Sequence, residues 1–183
     1  MLKEFLYADL ERQFDLEGHP GKKASVGRVL KRLLHPRFLP LVLCRCARAA
    51  FLRRVPALPG IFTYLNIVLF GLEVSPRCQI GPGLFLPHTN GTVLGAYRIG
   101  ANATIYQGVT LGAKTLDMGF SHELRPSIGD CVLIGAGAKV LGGIYIGDHV
   151  TVGANCVVLA DVAPFQTVVG IPAHAIGTEA LTN

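Results

Sequence analysis

Residues 128–158 read Ile-Gly-Asp-Cys-Val-Leu-Ile-Gly-Ala-Gly-Ala-Lys-Val-Leu-Gly-Gly-Ile-Tyr-Ile-Gly-Asp-His-Val-Thr-Val-Gly-Ala-Asn-Cys-Val-Val. A valine or isoleucine returns at every sixth place: Ile128, Ile134, Val140, Ile146, Val152, Val158. A helix repeats every 3.6 residues and a flat strand every two, so neither explains this spacing. A strict period of six is the mark of a parallel β-helix, whose short units bury a core only by stacking.

Working outward, the same phase appears upstream at Val93, Ile99, Ile105 and Leu111. Four residues beyond the anchors stand Ala103, Val109, Val132, Ala138, Ile144, Val150, Cys156 and Val162, mostly small or β-branched. Two inward positions per hexad suit one flat face, and three faces close a triangular coil. Coils then stack at about 4.8 Å. Glycine follows the anchor at Gly100, Gly112, Gly129, Gly135, Gly147 and Gly153, where corners are expected to need unusual backbone angles. The series begins near Glu73, with Ile80 and Leu86 in step, and slips by one residue between Leu86 and Val93. It is interrupted again between Leu111 and Ile128, so residues 113–127 are expected to form an extruded loop. Insertions in solenoids gather on one face, often the binding face.

The domain division expected is residues 1–72 as a basic α-helical region, 73–177 as the β-helix, and 178–183 as a tail. Leu2, Leu6, Leu10 and Phe14 lie four apart on one helical face. Further helices are expected from about Ser25 to Leu34 and from Pro40 to Arg54, followed by an apolar stretch from Phe62 to Gly71. Between His19 and Gly60 there are ten Lys or Arg and no Asp or Glu; from Ile61 onward there are five basic and seven acidic residues. The net charge of +5 therefore belongs to the N-terminal region. No apolar stretch reaches the ~18 residues of a membrane span. The opening residues do not read as a secretory signal. Five cysteines without disulfide or metal spacing fit a reducing, cytoplasmic setting, with Cys131 and Cys156 read as packing residues.

His88 is the leading chemical candidate. It sits at the phase slip, in Leu86-Pro87-His88-Thr89-Asn90-Gly91. A slip in a regular stack re-aims a side chain, as a bulge does in a sheet. Histidine suits proton transfer because its ordinary pKa lies near working pH.

From Glu73 to Ile176 the chain resembles the serine acetyltransferase branch of the hexapeptide acyltransferases. The residues that carry the resemblance are Ile80-Gly81-Pro82-Gly83, the His88-Thr89-Asn90-Gly91 corner, Gln107-Gly108-Val109-Thr110-Leu111-Gly112, Ile134 to Gly142, and Val169-Gly170-Ile171-Pro172-Ala173. The resemblance implies a left-handed coil and a homotrimer. It implies acetyl-CoA as co-substrate and no metal. It makes His88 the general base and Glu73 the carboxylate that orients it. Gly112, Ala113, Ala136 and Ala154 would line the pantetheine arm, and the oxyanion donor would be a backbone N–H not yet placed.

Where this sequence departs from that branch, the departures point to a different acceptor. Serine-specific members carry aspartate before the catalytic histidine; here the place is Pro87. Leu124-Arg125 stands where they carry Arg-His, which leaves Arg125 and His122 as candidate acceptor contacts. Their helical domain is longer and less basic. These differences favour a saccharide or lipid-linked glycan acceptor in polysaccharide or surface glycan biosynthesis. Residues 19–60 would touch an anionic membrane at its inner face. Serine O-acetylation is the alternative. A zinc carbonic anhydrase would need His88, His122 and His149 to converge on one ion. A non-catalytic scaffold would tolerate loss of His88. No nucleic-acid reading motif accompanies the basic charge.

Overall fold

Ile128 lies beside Ile146, Ile134 beside Val152 and Val140 beside Val158, each pair eighteen residues apart on neighbouring parallel strands. Three hexads therefore make one coil. The computed structural model describes residues 2–176, so the tail expected at 178–183 lies outside the described residues. The chain visits three parallel sheets in fixed rotation. The first face is built from Leu72–Val74, Thr92–Leu94, Thr110–Gly112, Lys139–Leu141 and Val157–Val158. The second is Gln79–Ile80, Arg98–Ile99, Ser127–Ile128 and Tyr145–Ile146. The third is Thr104–Ile105, Leu133–Ile134, Thr151–Val152 and Thr167–Val169, and the strand His174–Ile176 returns antiparallel on its last member.

All six anchors from Ile128 to Val158 are at most 1% exposed. Burying each such side chain contributes on the order of 1.5–3 kcal/mol. The second inward positions are buried as well, except Ile144, which is half-buried.

Three local expectations are corrected. Val93 does not point inward: Leu94 takes that place at 0% exposure, and Val93 faces out. Side chains alternate along a strand, so a one-residue shift exchanges the faces. Leu86 to Leu94 is eight residues instead of six, and the two extra residues push out the corner around His88. The glycines after the anchors are not there for unusual backbone angles. A Cβ on Gly135 would come within 2.6 Å of the Ala154 nitrogen in the next coil. Close stacking likewise excludes a side chain at Gly100, Gly129 and Gly147, though not at Gly112, and the left-handed residues fall two places later, at Asn102, Cys131, His149 and Asn155. Cys131 is consequently an exposed corner residue, while Cys156 is buried.

Four helices precede the coils: α1 (Leu2–Leu16), α2 (Val26–Arg32), α3 (Leu39–Leu52) and α4 (Leu58–Phe70). Leu10 and Phe14 of α1 are buried with Phe38, and Leu6 packs beside them. The Ser25 hydroxyl caps α2 by accepting from the Arg28 N–H. The apolar stretch after Pro59 is α4, a helix closed by Gly71 in the left-handed conformation. It packs on α3, where the Asn66 side chain donates to the Pro40 carbonyl at 3.0 Å. Its other side leaves Ile61, Tyr64 and Val68 exposed.

Part of the basic charge is engaged inside the fold. Arg45 is buried and paired with Asp9. Arg48 donates to the carbonyls of Pro76 and Arg77 in the first coil, and Arg32 pairs with Glu17. Among the described residues, no helix is long and apolar enough to cross a membrane.

Candidate active site

His88 stands where the third face passes into the first. The corner is pinned by the Thr89 hydroxyl, which donates to the Phe70 carbonyl at 2.9 Å, and by the Gly91 N–H, which donates to Gly71 at 2.9 Å. His88 itself is exposed. It opens into a cleft of about 580 Å³ that Pro36, Arg37, Phe70 and Gln107 also line.

This corner continues down the stack as a column of turns. The Gly108 N–H donates to Asn90, Gly137 to Gln107, and Asn155 to Ala136. Ala136 and Ala154, two of the expected pantetheine contacts, thus lie in line below the His88 corner. Gly112 and Ala113 do not. They sit at the opposite edge of the first face, where nothing lies within 4 Å of a Cβ built on Gly112.

Glu73 faces outward on the first face, in register with Val93. It lines a second cleft of about 320 Å³ with Arg77, Asp117, Met118 and Arg125. Among the described residues no hydrogen bond or ion pair joins Glu73 to His88. The structure places them at the same end of the first face, in separate clefts of one chain.

Arg125 and His122 belong to the extruded loop, which leaves the first face after Gly112 and rejoins the coil at Ser127. The Arg125 guanidinium already has its partners. Its Nε donates to the Asp117 carboxylate at 2.7 Å, Nη2 to the Asp117 carbonyl at 2.8 Å and Nη1 to Gly95 at 2.8 Å. It also lies over the Phe120 ring at 4.2 Å. Burial alone would push Asp117 up, but the hydrogen bonds from Arg125 and Ser121 outweigh it and hold the carboxyl below its ordinary value. In this chain Arg125 anchors the loop across the coil. His122 is exposed, paired with Glu123 and tilted against Tyr97 at 5.2 Å. His149 stands at a different corner, stacked on Phe165. His88, His122 and His149 therefore occupy three separate places.

Nothing in the sequence pattern marks Asp117 or Gln107 for a role. Gln107 opens the Gln107–Gly112 segment, and its Oε1 is buried without a partner among the described residues in the wall of the His88 cleft. Arg37 and Phe70 reach that cleft from the helical region, and no local pattern announces them.

Residues 125–160 match the family model for bacterial transferase hexapeptides (six repeats), and residues 98–119 that for the hexapeptide repeat of succinyl-transferase. The chain is 43% identical over 145 residues to a serine acetyltransferase of Synechococcus elongatus, covering 79% of this chain and 58% of that one. It thus spans under two thirds of that relative's length. Soybean serine acetyltransferase complexed with serine superposes with a TM-score of 0.81 at 33% identity, covering 96% of this chain and 69% of the soybean chain. A serine acetyltransferase in complex with CoA superposes with a TM-score of 0.80 at 25% identity, covering 96% and 69%. These matches overturn the saccharide acceptor expected from Pro87, Leu124-Arg125 and the basic N-terminal region: the similar proteins are serine acetyltransferases. The departures are local, and the likeness extends through the helices on which the saccharide argument leaned.

Proposed function

Because the chain belongs to the serine acetyltransferase-like hexapeptide-repeat acyltransferases, we propose that it transfers the acetyl group of acetyl-CoA to the hydroxyl of L-serine, on a left-handed β-helix. The observation that carries this is the bulged corner. The stack spends two extra residues there to present an exposed His88 above a column of small-residue turns.

His88 takes the proton from the serine hydroxyl as its oxygen attacks the thioester carbonyl carbon. The carbonyl electron pair moves to oxygen and gives a tetrahedral oxyanion. Collapse restores the carbonyl and breaks the carbon–sulfur bond. His88 returns its proton to the departing thiolate, leaving O-acetyl-L-serine and CoA. Glu73, at the same end of the first face, would have to turn its side chain out of its own cleft to hold the ring and favour the imidazolium.

The pantetheine arm would run along the turns at Ala136 and Ala154, where small residues permit close backbone approach. Gly112 and Ala113, on the opposite edge, would meet the same arm from a neighbouring copy in a homotrimer. The reaction is assigned to the cytoplasm, which the five free thiols support.

The test is loss of thioester absorbance from acetyl-CoA in the presence of L-serine, with the product identified by mass spectrometry. Disulfide-based thiol reporters are avoided because Cys131 is exposed. O-acetylserine formed by the wild type and not by His88→Ala supports the reading. Wild-type protein that leaves acetyl-CoA intact with serine present overturns it.

A further inference from the structure

A cleft of about 670 Å³ lies between the helical region and the second face, and it shares no lining residue with the His88 or Glu73 clefts. Its size falls within the range of small-molecule sites. The apolar part of its wall comes from Leu2 and Phe5 of α1, Leu52 of α3, and Ile80 of the first coil. Its polar side chains are Arg45, Arg48, Arg53 and Arg98, with Gln79 and Asp130.

Arg45 closes the inner end and is fully engaged. It donates to both Asp9 oxygens and to the Ile80 and Gly81 carbonyls. Arg48, Arg53 and Arg98 are different. Arg48 uses only Nη1 on coil carbonyls, at 3.0 and 3.1 Å, and among the described residues its Nε and Nη2 have no acceptor. Arg53 makes one long contact, 3.4 Å, to its own helix. Arg98 projects outward from the second face. No ion pair forms on any of these three among the described residues. The one carboxylate in the cleft, Asp130, is exposed and accepts from the Ala101 N–H at 2.8 Å.

Three guanidinium groups against one carboxylate leave this partly apolar hollow with an excess of positive charge that an anion would offset. Arginine forks match phosphate oxygens in bidentate geometry. We propose that this cleft binds an organic phosphate: the phosphate between Arg48, Arg53 and Arg98, and an apolar body against Leu2, Phe5 and Leu52. The same chemistry is offered by a free phosphomonoester and by an anionic lipid headgroup.

Calorimetric titration of the full chain with 1-naphthyl phosphate, 1-naphthol and inorganic phosphate tests the pocket. Flotation with vesicles of phosphatidylglycerol in phosphatidylcholine tests the lipid source. Arg53→Gln combined with Arg98→Gln removes two of the three cations without touching a coil carbonyl contact. The expected result is naphthyl phosphate binding at least tenfold tighter than either fragment, weakened at least tenfold in the double variant. Thermal stability and acetyl transfer should be unchanged. Vesicle binding that the double variant abolishes, without binding of the soluble probe, assigns the same site to a lipid headgroup. Absence of both, or binding that the double variant leaves intact, overturns the proposal. The acetyl-transfer reading is unaffected either way.

Discussion

Arg45 and Asp9 meet as a two-bonded pair, 2.9 Å at each contact, with side chains 7% and 0% exposed. Asp9 also accepts the Leu84 N–H at 3.0 Å. One ion pair thus joins α1, α3 and the first coil. Removing one member of such a pair leaves an uncompensated buried charge, which typically costs about 3–5 kcal/mol. Arg45→Ala should lower the unfolding free energy by that amount in urea denaturation. A loss below about 1 kcal/mol would mean that the helices are held mainly by apolar packing.

His88→Ala should reduce kcat by at least ~10²-fold, the usual scale for loss of a general base. His88 is exposed and, among the described residues, makes no hydrogen bond that holds the corner, so the thermal midpoint should not move. Steady-state kinetics beside a melting curve separates the two effects. Near wild-type turnover would remove His88 from the mechanism.

Pro87 occupies the place where serine-specific relatives are expected to carry aspartate. Pro87→Asp would set a carboxylate beside His88 for the serine ammonium. A hydrogen bond to a charged group is worth about 1.5–3 kcal/mol, so KM for serine should fall by roughly ten- to a hundredfold. An unchanged KM would show that serine's ammonium is held elsewhere.

Asp117 is held below its ordinary value, so its contribution to loop anchoring has a definite sign. It is present above the usual carboxylate pKa, roughly 3.9, and is lost only as pH falls through the lower folded value. Carbon-detected NMR titration of the Asp117 carboxyl should show a midpoint below 3.9 in wild type, and an upward move in Arg125→Gln. A midpoint at or above the ordinary value in wild type would break the proposed link between Arg125 and the loop.

Burial pushes the Cys44 and Cys78 thiols up to about 12, whereas Cys131 stands exposed at a corner. A chromogenic disulfide reagent at mildly alkaline pH should label Cys131 first. Cys44 and Cys78 should react only on unfolding. Cys131→Ser should remove the fast phase. Equal rates at Cys44 and Cys131 would contradict the packing of α3 on the coil.

Much of the coil could be read from spacing because its core is a one-dimensional repeat: Ile134 needs only Val152, eighteen residues on, to define its place. That Leu94 and not Val93 points inward is not legible in the period, because the extra residues at His88 are local and the period alone cannot say which residue absorbs a shift. At Gly100, Gly129, Gly135 and Gly147 the reason for glycine is contact with the next coil, not backbone angle, and only the stacked structure reveals it. At the site, His88 was legible from the break in the repeat. Arg125 was legible as a residue but not as an anchor, because its partners Asp117 and Gly95 come from separate segments. Pro36 and Arg37 reach the His88 cleft through tertiary packing, which leaves no local trace in the sequence.

The return of the chain after Val169 has a further consequence. A parallel stack with identical spacing is a template, and its last coil offers an open row of backbone donors and acceptors to any similar strand. Here the Ala173 N–H donates to Val157 and the Val157 N–H to Gly170, while His174–Ile176 runs backward along Thr167–Val169. The edge of Thr167–Val169 is thereby occupied by the chain's own return and is closed to a further parallel rung in register. Residues 170–176 therefore lie over the last coil and cover with the chain's own backbone what would be the open end of a stack.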